Sequence, residues 1–184
     1  MNKINFEEIE KILNVYIEEN ESSEEIEKNF EELNKVFNIL YKFVLAYNSY
    51  SNKLQKYNSN EEELSMVEAH ILLDIVDNPQ ITVTELATKW KKTTSAISQT
   101  IKKLIKKEYV EREISPVNAK FFHLYPTEKA KKFILSHKHY DNIDIVKTIK
   151  RLKKTCSVEE IVSFYKVMDE FTNILDEKKI KINF

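Results

Sequence analysis

A mainly helical chain with one small β-hairpin is the fold class the sequence predicts, on three observations. Ser22 to Glu25, Ser65 to Glu68, Thr82 to Glu85 and Ser157 to Glu160 all carry the helix-opening pattern S/T-x-x-E. In it the hydroxyl accepts from the third backbone N–H of the helix, and the glutamate reaches back to the N–H of the capping residue. Apolar residues recur at helical spacing through most of the chain. Only between Tyr109 and Tyr125 does the period fall to two, with turn chemistry in the middle.

The elements follow in order. Phe6, Ile9, Ile12, Leu13, Tyr16 and Ile17 share one face, which predicts a helix from Phe6 to Glu19. After the polar break NESSEE, a longer helix is expected from about Glu24 to Tyr57, ended by YNSNEEE. Three shorter helices are expected at Ser65 to Val76, Val83 to Trp90 and Thr94 to Lys106, joined through Asn78-Pro79 and Lys91-Lys92-Thr93. Tyr109 to Ile114 alternates like a strand, Ser115 to Ala119 is turn chemistry, and Lys120 to Tyr125 reads as the returning strand. Pro126-Thr127-Glu128 opens a helix expected to reach about Lys154, and a last helix covers Val158 to Leu175.

Composition excludes several classes. With no glycine among 184 residues, phosphate-cradling loops of the GxGxxG or GxxxxGK type are impossible. A hydrophobic share of 42% is enough for a core, yet no apolar run approaches membrane-spanning length. The acidic, amphipathic start MNKINFEEIEK is neither a secretory signal nor an arginine-rich transit peptide. One cysteine excludes an intramolecular disulfide framework and suits a reducing compartment. A cytoplasmic protein is the expectation. No glycine-flanked nucleophile, HExxH or CxxC is present, so no enzyme is expected.

The net charge of −1 hides an asymmetry. Residues 1–33 hold eleven glutamates, whereas seven lysines and no acid lie between Leu86 and Lys107. Two short helices, a tight turn, a longer helix and a hairpin are the order of a winged helix-turn-helix, whose second helix lies in the major groove of DNA. That helix begins with Thr93, Thr94 and Ser95 and continues with Ser98, Gln99, Lys102 and Lys103, over an inner stripe of Ile97, Ile101 and Leu104. Hydroxyls and an amide can read base edges, while lysines and the helix N-terminus suit phosphates. Duplex DNA is therefore the expected partner. A solvated lysine face is the plain alternative. A winged-helix protein–protein interaction module is the other, and it would place apolar or acidic residues on this face.

LSMVEAHILLDI, TVTELATKWKKTTSAISQTIKKLIKKEYVER and HLYPTEKAKK resemble the MarR family of bacterial transcription regulators over roughly Leu64 to Lys132. The resemblance implies a homodimeric, effector-responsive repressor on a pseudo-palindromic operator. Residues 1–57 and 127–184 would supply interleaved dimerisation helices, and residues 64–126 the DNA-binding domain. The family often has glycine where this chain has Lys91 and Glu108, and an Asp-x-Arg pattern in the wing where it has Asn118 and Lys120. Asn118 and Lys120 are thus the wing's expected DNA contacts, with lysine lacking the planar fork of arginine.

Candidates for sensing are fewer. His137 and Asp141 are four apart on one helical face, continuing the stripe of Ala130, Phe133 and Ile134. The resemblance brings His70, His137 and Asp141 near the places from which zinc-sensing members draw ligands, and imidazole with carboxylate suits zinc. The alternatives are satisfied, partly buried polar residues, or a small organic effector among Tyr41, Tyr47, Tyr50, Phe121 and Tyr140. Cys156, before the last capping box and after Lys153 and Lys154, is a candidate redox thiol with no second cysteine to resolve it.

Overall fold

The computed structural model describes residues 6–15, 24, 27, 30–57, 62–114 and 122–182. Within them run α1 (Phe6–Val15), α2 (Phe30–Asn52), β1 (Leu54–Gln55), β2 (Leu64–Ser65), α3 (Met66–Asp77), α4 (Val83–Lys89), α5 (Thr94–Lys106), β3 (Val110–Ile114), β4 (Phe122–Pro126), α6 (Glu128–Leu152) and α7 (Val158–Ile182). The chain divides into two compact units, residues 1–55 with 63–68 and residues 56–62 with 69–184.

In the first unit α2 stops at Asn52, short of the expected Tyr57. Its last turn explains this. Ser51 Oγ and Asn52 Nδ2 both donate to the Asn48 carbonyl, at 3.1 and 2.8 Å. Short polar side chains that bond nearby backbone groups compete with helix continuation. The chain then makes an antiparallel ladder the sequence did not announce, pairing Leu54 with Ser65 and Gln55 with Leu64. The Ser65–Glu68 capping box closes as expected, with Glu68 N–H donating to Ser65 Oγ at 3.1 Å and Ser65 N–H donating to Glu68 Oε2 at 3.0 Å. The Ser22–Glu25 box lies outside the described residues.

The second unit is built on α3 to α7. Ile71, Leu72 and Ile75 of α3, Leu86 of α4, Ile97, Ile101 and Leu104 of α5, Val110 and Leu124 of the hairpin, and Phe133 and Ile134 of α6 form its core. The hairpin is antiparallel, running from Val110 opposite Pro126 to Ile114 opposite Phe122. A third short segment joins it. Gln80 N–H donates to the Leu124 carbonyl at 2.9 Å, and Leu124 N–H donates to the Ile81 carbonyl at 3.1 Å. The capping boxes at Thr82–Glu85 and Ser157–Glu160 are both formed. α7 runs past the expected Leu175 to Ile182, because no glycine or proline follows to stop it.

Two helix ends explain how a glycine-free chain makes a helix-turn-helix. After α4, Lys91 N–H donates to the Thr88 carbonyl and Lys92 N–H to the Ala87 carbonyl. After α5, Glu108 N–H donates to the Ile105 carbonyl and Tyr109 N–H to the Leu104 carbonyl. Both are Schellman motifs, which need a left-handed residue at the first position beyond the cap. Lys91 has φ 50° and Glu108 has φ 59°. The two positions where the family often has glycine are thus left-handed here, without the residue that adopts this conformation most easily.

Candidate nucleic-acid interface and effector site

α5 spans Thr94–Lys106, as its pattern predicts. Thr93 caps it, its Oγ1 accepting from Ala96 N–H at 3.2 Å, so one role of that side chain is structural. Ile97, Ile101 and Leu104 are buried beneath it. Thr94, Ser95, Gln99, Lys102 and Lys103 are exposed on the other side, and Ser98 is half-buried. The last turn bears Lys103 and Lys106. Behind the helix, Thr127 Oγ1 donates to the Glu108 carbonyl at 2.9 Å, and Lys129 Nζ donates to the Lys107 carbonyl at 2.8 Å. The two carbonyls that follow α5 are therefore tied to the start of α6. Asn118 and Lys120 lie outside the described residues.

The lysine segment is less uniformly electropositive than the sequence reads. Lys89 Nζ lies 2.6 Å from Asp74 Oδ1 of α3, and Lys91 Nζ meets the Asp176 carboxylate of α7. These acids come from distant parts of the chain, so no local scan of the segment finds them. Trp90 Nε1 donates to the other Asp74 oxygen at 2.8 Å. Asp74 was not singled out by sequence.

The three expected metal ligands converge. Asp141 Oδ2 lies 3.1 Å from His70 Nε2 and 3.3 Å from His137 Nε2. One ligand atom from each of the three residues falls within 4.8 Å of the others. A tetrahedral zinc ion with bonds of about 2.0–2.2 Å holds its ligand atoms about 3.4 Å apart, so the two carboxylate–imidazole separations fit it. His137 is fully buried, and neither of its ring nitrogens has an aligned hydrogen-bond partner among the described residues. A buried polar group in that condition costs free energy unless something binds it. Tyr57 packs edge-on against the ring at 4.6 Å, and Phe133 stacks at 6.3 Å. Burial lowers the His137 pKa, Asp141 opposes this, and His70 adds to the lowering. Neutral imidazole is the form that ligates metal.

The remaining candidates are scattered. Tyr41, Tyr47 and Tyr50 are exposed on α2, with Tyr47 Oη 4.0 Å from Met66 Sδ. Tyr140 packs against Tyr57 at 5.2 Å, and Phe121 lies outside the described residues. Cys156 is half-buried, with Thr155 Oγ1 3.8 Å from its sulfur. Among the described residues no helix is long and apolar enough to cross a membrane.

Comparison with known proteins finds a family match in one segment and a likeness of fold. Residues 64–121 match the family model of the MarR family. No curated protein matches the chain. Among solved structures, Streptococcus pneumoniae FabT in complex with DNA is 20% identical over 80% of this chain and 98% of its own, with a TM-score of 0.57. Zinc-responsive MarR family member ZitR from Lactococcus lactis is 21% identical over 79% and 96%, with a TM-score of 0.55. The transcriptional regulator SlyA is 18% identical over 78% and 95%, with a TM-score of 0.57. At these identities the likeness is one of fold.

Proposed function

We propose that this chain, whose residues 64–121 match the MarR family model, is a MarR-type, sequence-specific transcription repressor binding duplex DNA as a homodimer. The observation that carries this reading is the exposed face of α5. Thr94, Ser95, Gln99, Lys102 and Lys103 stand over a buried aliphatic stripe, with no acid and no large apolar residue among them. Hydroxyls and the amide read base edges, lysines meet phosphates, and Asn118 and Lys120 extend the contact through the wing. Residues 64–126 bind the DNA, while residues 1–57 and 127–184 dimerise. Supporting dimerisation, Tyr41, Val44, Leu45 and Tyr47 of α2 are more than half exposed, as are Val162, Tyr165 and Val167 of α7. Large apolar side chains left exposed in this number on two helices are material for an interaction surface.

The buried His137, 3.3 Å from the Asp141 carboxylate yet with no aligned hydrogen bond among the described residues, supports a sensing role. His70, His137 and Asp141 would hold a divalent metal of the zinc class, which would supply a fixed positive charge matched to one carboxylate and two neutral imidazoles.

Fluorescence anisotropy on duplexes tiling the protein's own upstream region, against a scrambled duplex and across a salt series, tests the DNA reading. Lys102→Ala is expected to lower the salt slope by about one phosphate contact, uniformly across sequences. Gln99→Ala is expected to weaken only the preferred site, by about 1–3 kcal/mol. Absence of binding at low salt would sink this reading and leave the interaction module. Displacement of a chromophoric chelator by the wild-type chain, lost in His137→Ala, tests the metal reading.

A further inference from the structure

A cavity of about 430 Å³ lies on the other side of His70, lined by His70, Leu73, Asp74, Lys89, Trp90 and Lys91. One wall is the turn of α3 that carries His70 and Asp74, four residues apart and so on one helical face. The opposite wall is the end of α4 and the tight turn that leads into α5. Both oxygens of Asp74 are committed to that wall, one to Lys89 Nζ and one to Trp90 Nε1. Trp90 is itself the C-cap of α4, and three residues later Thr93 caps α5. The effector triad and the DNA-reading helix are thus joined by one turn of α3 and one carboxylate.

We propose that Asp74 is the coupling residue of this protein, carrying a displacement of His70 to the helix-turn-helix. The inference rests on the metal reading above, and the argument turns on which ligand can move. His137 is fully buried between the Tyr57 and Phe133 rings, so it is fixed. The His70 side chain is 36% exposed and has the cavity behind it. The ligand atoms spread over as much as 4.8 Å, against about 3.4 Å around one zinc ion, so closing on a cation moves His70, and α3 goes with it. An α-helix is stiff over a single turn, so Asp74 follows His70. The Asp74 bonds to Lys89 and Trp90 are charge-assisted and pull the end of α4. The turn beyond it has little slack, because Lys91 is held left-handed by the Schellman bonds. The displacement is therefore delivered to Thr93 and the first turn of α5, where the base-reading side chains begin.

The chain has one tryptophan, so Trp90 emission reports on this junction directly. Zinc sulfate is the probe, added to the full-length protein in three assays: chelator competition, Trp90 emission and DNA anisotropy. In wild type, zinc is expected to shift Trp90 emission and to change DNA affinity by at least about 5-fold, the lower range of ordinary allosteric coupling. Asp74→Asn keeps an acceptor for Trp90 but loses the charge that holds Lys89. It is expected to bind zinc as wild type does, while its emission shift falls and zinc's effect on DNA affinity drops below about 2-fold. Trp90→Phe keeps the ring and removes the N–H donor, and is expected to lose the DNA effect likewise. Zinc binding with undiminished coupling in both variants would overturn the inference and leave the metal reading standing. Failure of the wild-type chain to bind zinc would overturn both.

Discussion

Glu108 offers a quantitative test of how the fold manages without glycine. It sits at the first position beyond the α5 cap with φ 59°, between Glu108 N–H to Ile105 carbonyl and Tyr109 N–H to Leu104 carbonyl bonds of 2.9 Å each. A side chain with a Cβ in this region costs about 1–2 kcal/mol. Glu108→Gly removes that cost. It also returns conformational freedom to the unfolded chain, worth about 0.5–1 kcal/mol against folding. The expected net is a stabilisation of about 0.5–1 kcal/mol, or a Tm rise of about 1–4 °C for a chain of this size. Glu108→Ala is the control: it removes the same charge but keeps the Cβ, so no comparable gain is expected. Circular dichroism melts at one fixed protein concentration make the comparison, since the Tm of any dimer depends on concentration. Equal gains in the glycine and alanine variants would refute the conformational argument and point to the charge instead.

Other expectations follow from the same structure. Lys91→Gly should gain less than Glu108→Gly, because it also gives up the exposed pair with Asp176, worth about 0–1 kcal/mol; a double-mutant cycle with Asp176→Asn measures the difference. Phe133→Ala empties a site that is 1% exposed, and should lower the urea midpoint by an amount equivalent to about 3–5 kcal/mol; a change below 1 kcal/mol would mean the packing around His137 is not a core. Val162→Glu places a charge on an exposed apolar face of α7 and should shift the protein toward monomer in light scattering, with a dimer unaffected by it ruling out this face as interface. Glu85 is held below its ordinary pKa of 4.5, first by the Thr82 backbone N–H and then by the Thr82 hydroxyl. A carboxylate lowered in the folded state contributes stability above its unfolded pKa and loses it as the pH falls through the folded one. The advantage of wild type over Glu85→Gln should therefore be present at neutral pH and shrink below about 4.5; an advantage that stays constant down to pH 3 would contradict the capping account.

What the sequence by itself determined is what arises within a few residues. The bounds of α5, the caps at Ser65, Thr82 and Ser157, and the period-two hairpin follow from side chains acting on their own backbone, over spans of three or four residues. At Lys91 and Glu108 the resemblance marked only that the family often has glycine there; the left-handed backbone itself was seen in the structure. The end of α2 was misjudged at the same scale, since Ser51 and Asn52 turn back on Asn48 before the apolar stripe runs out. Tertiary structure alone decided the rest. It brought His70 from α3 against His137 and Asp141 of α6, a meeting that the family resemblance had implied but no local pattern encodes, and buried His137 among aromatic rings. It answered two lysines of the basic segment with Asp74 and Asp176, one before the segment and one near the far end of the chain. It also laid Gln80 to Thr82 along the wing as a third segment. No periodicity encodes such meetings, because they depend on how the helices pack once their apolar faces are buried, and a charge or a histidine on a helix carries no mark of which neighbour that packing will bring.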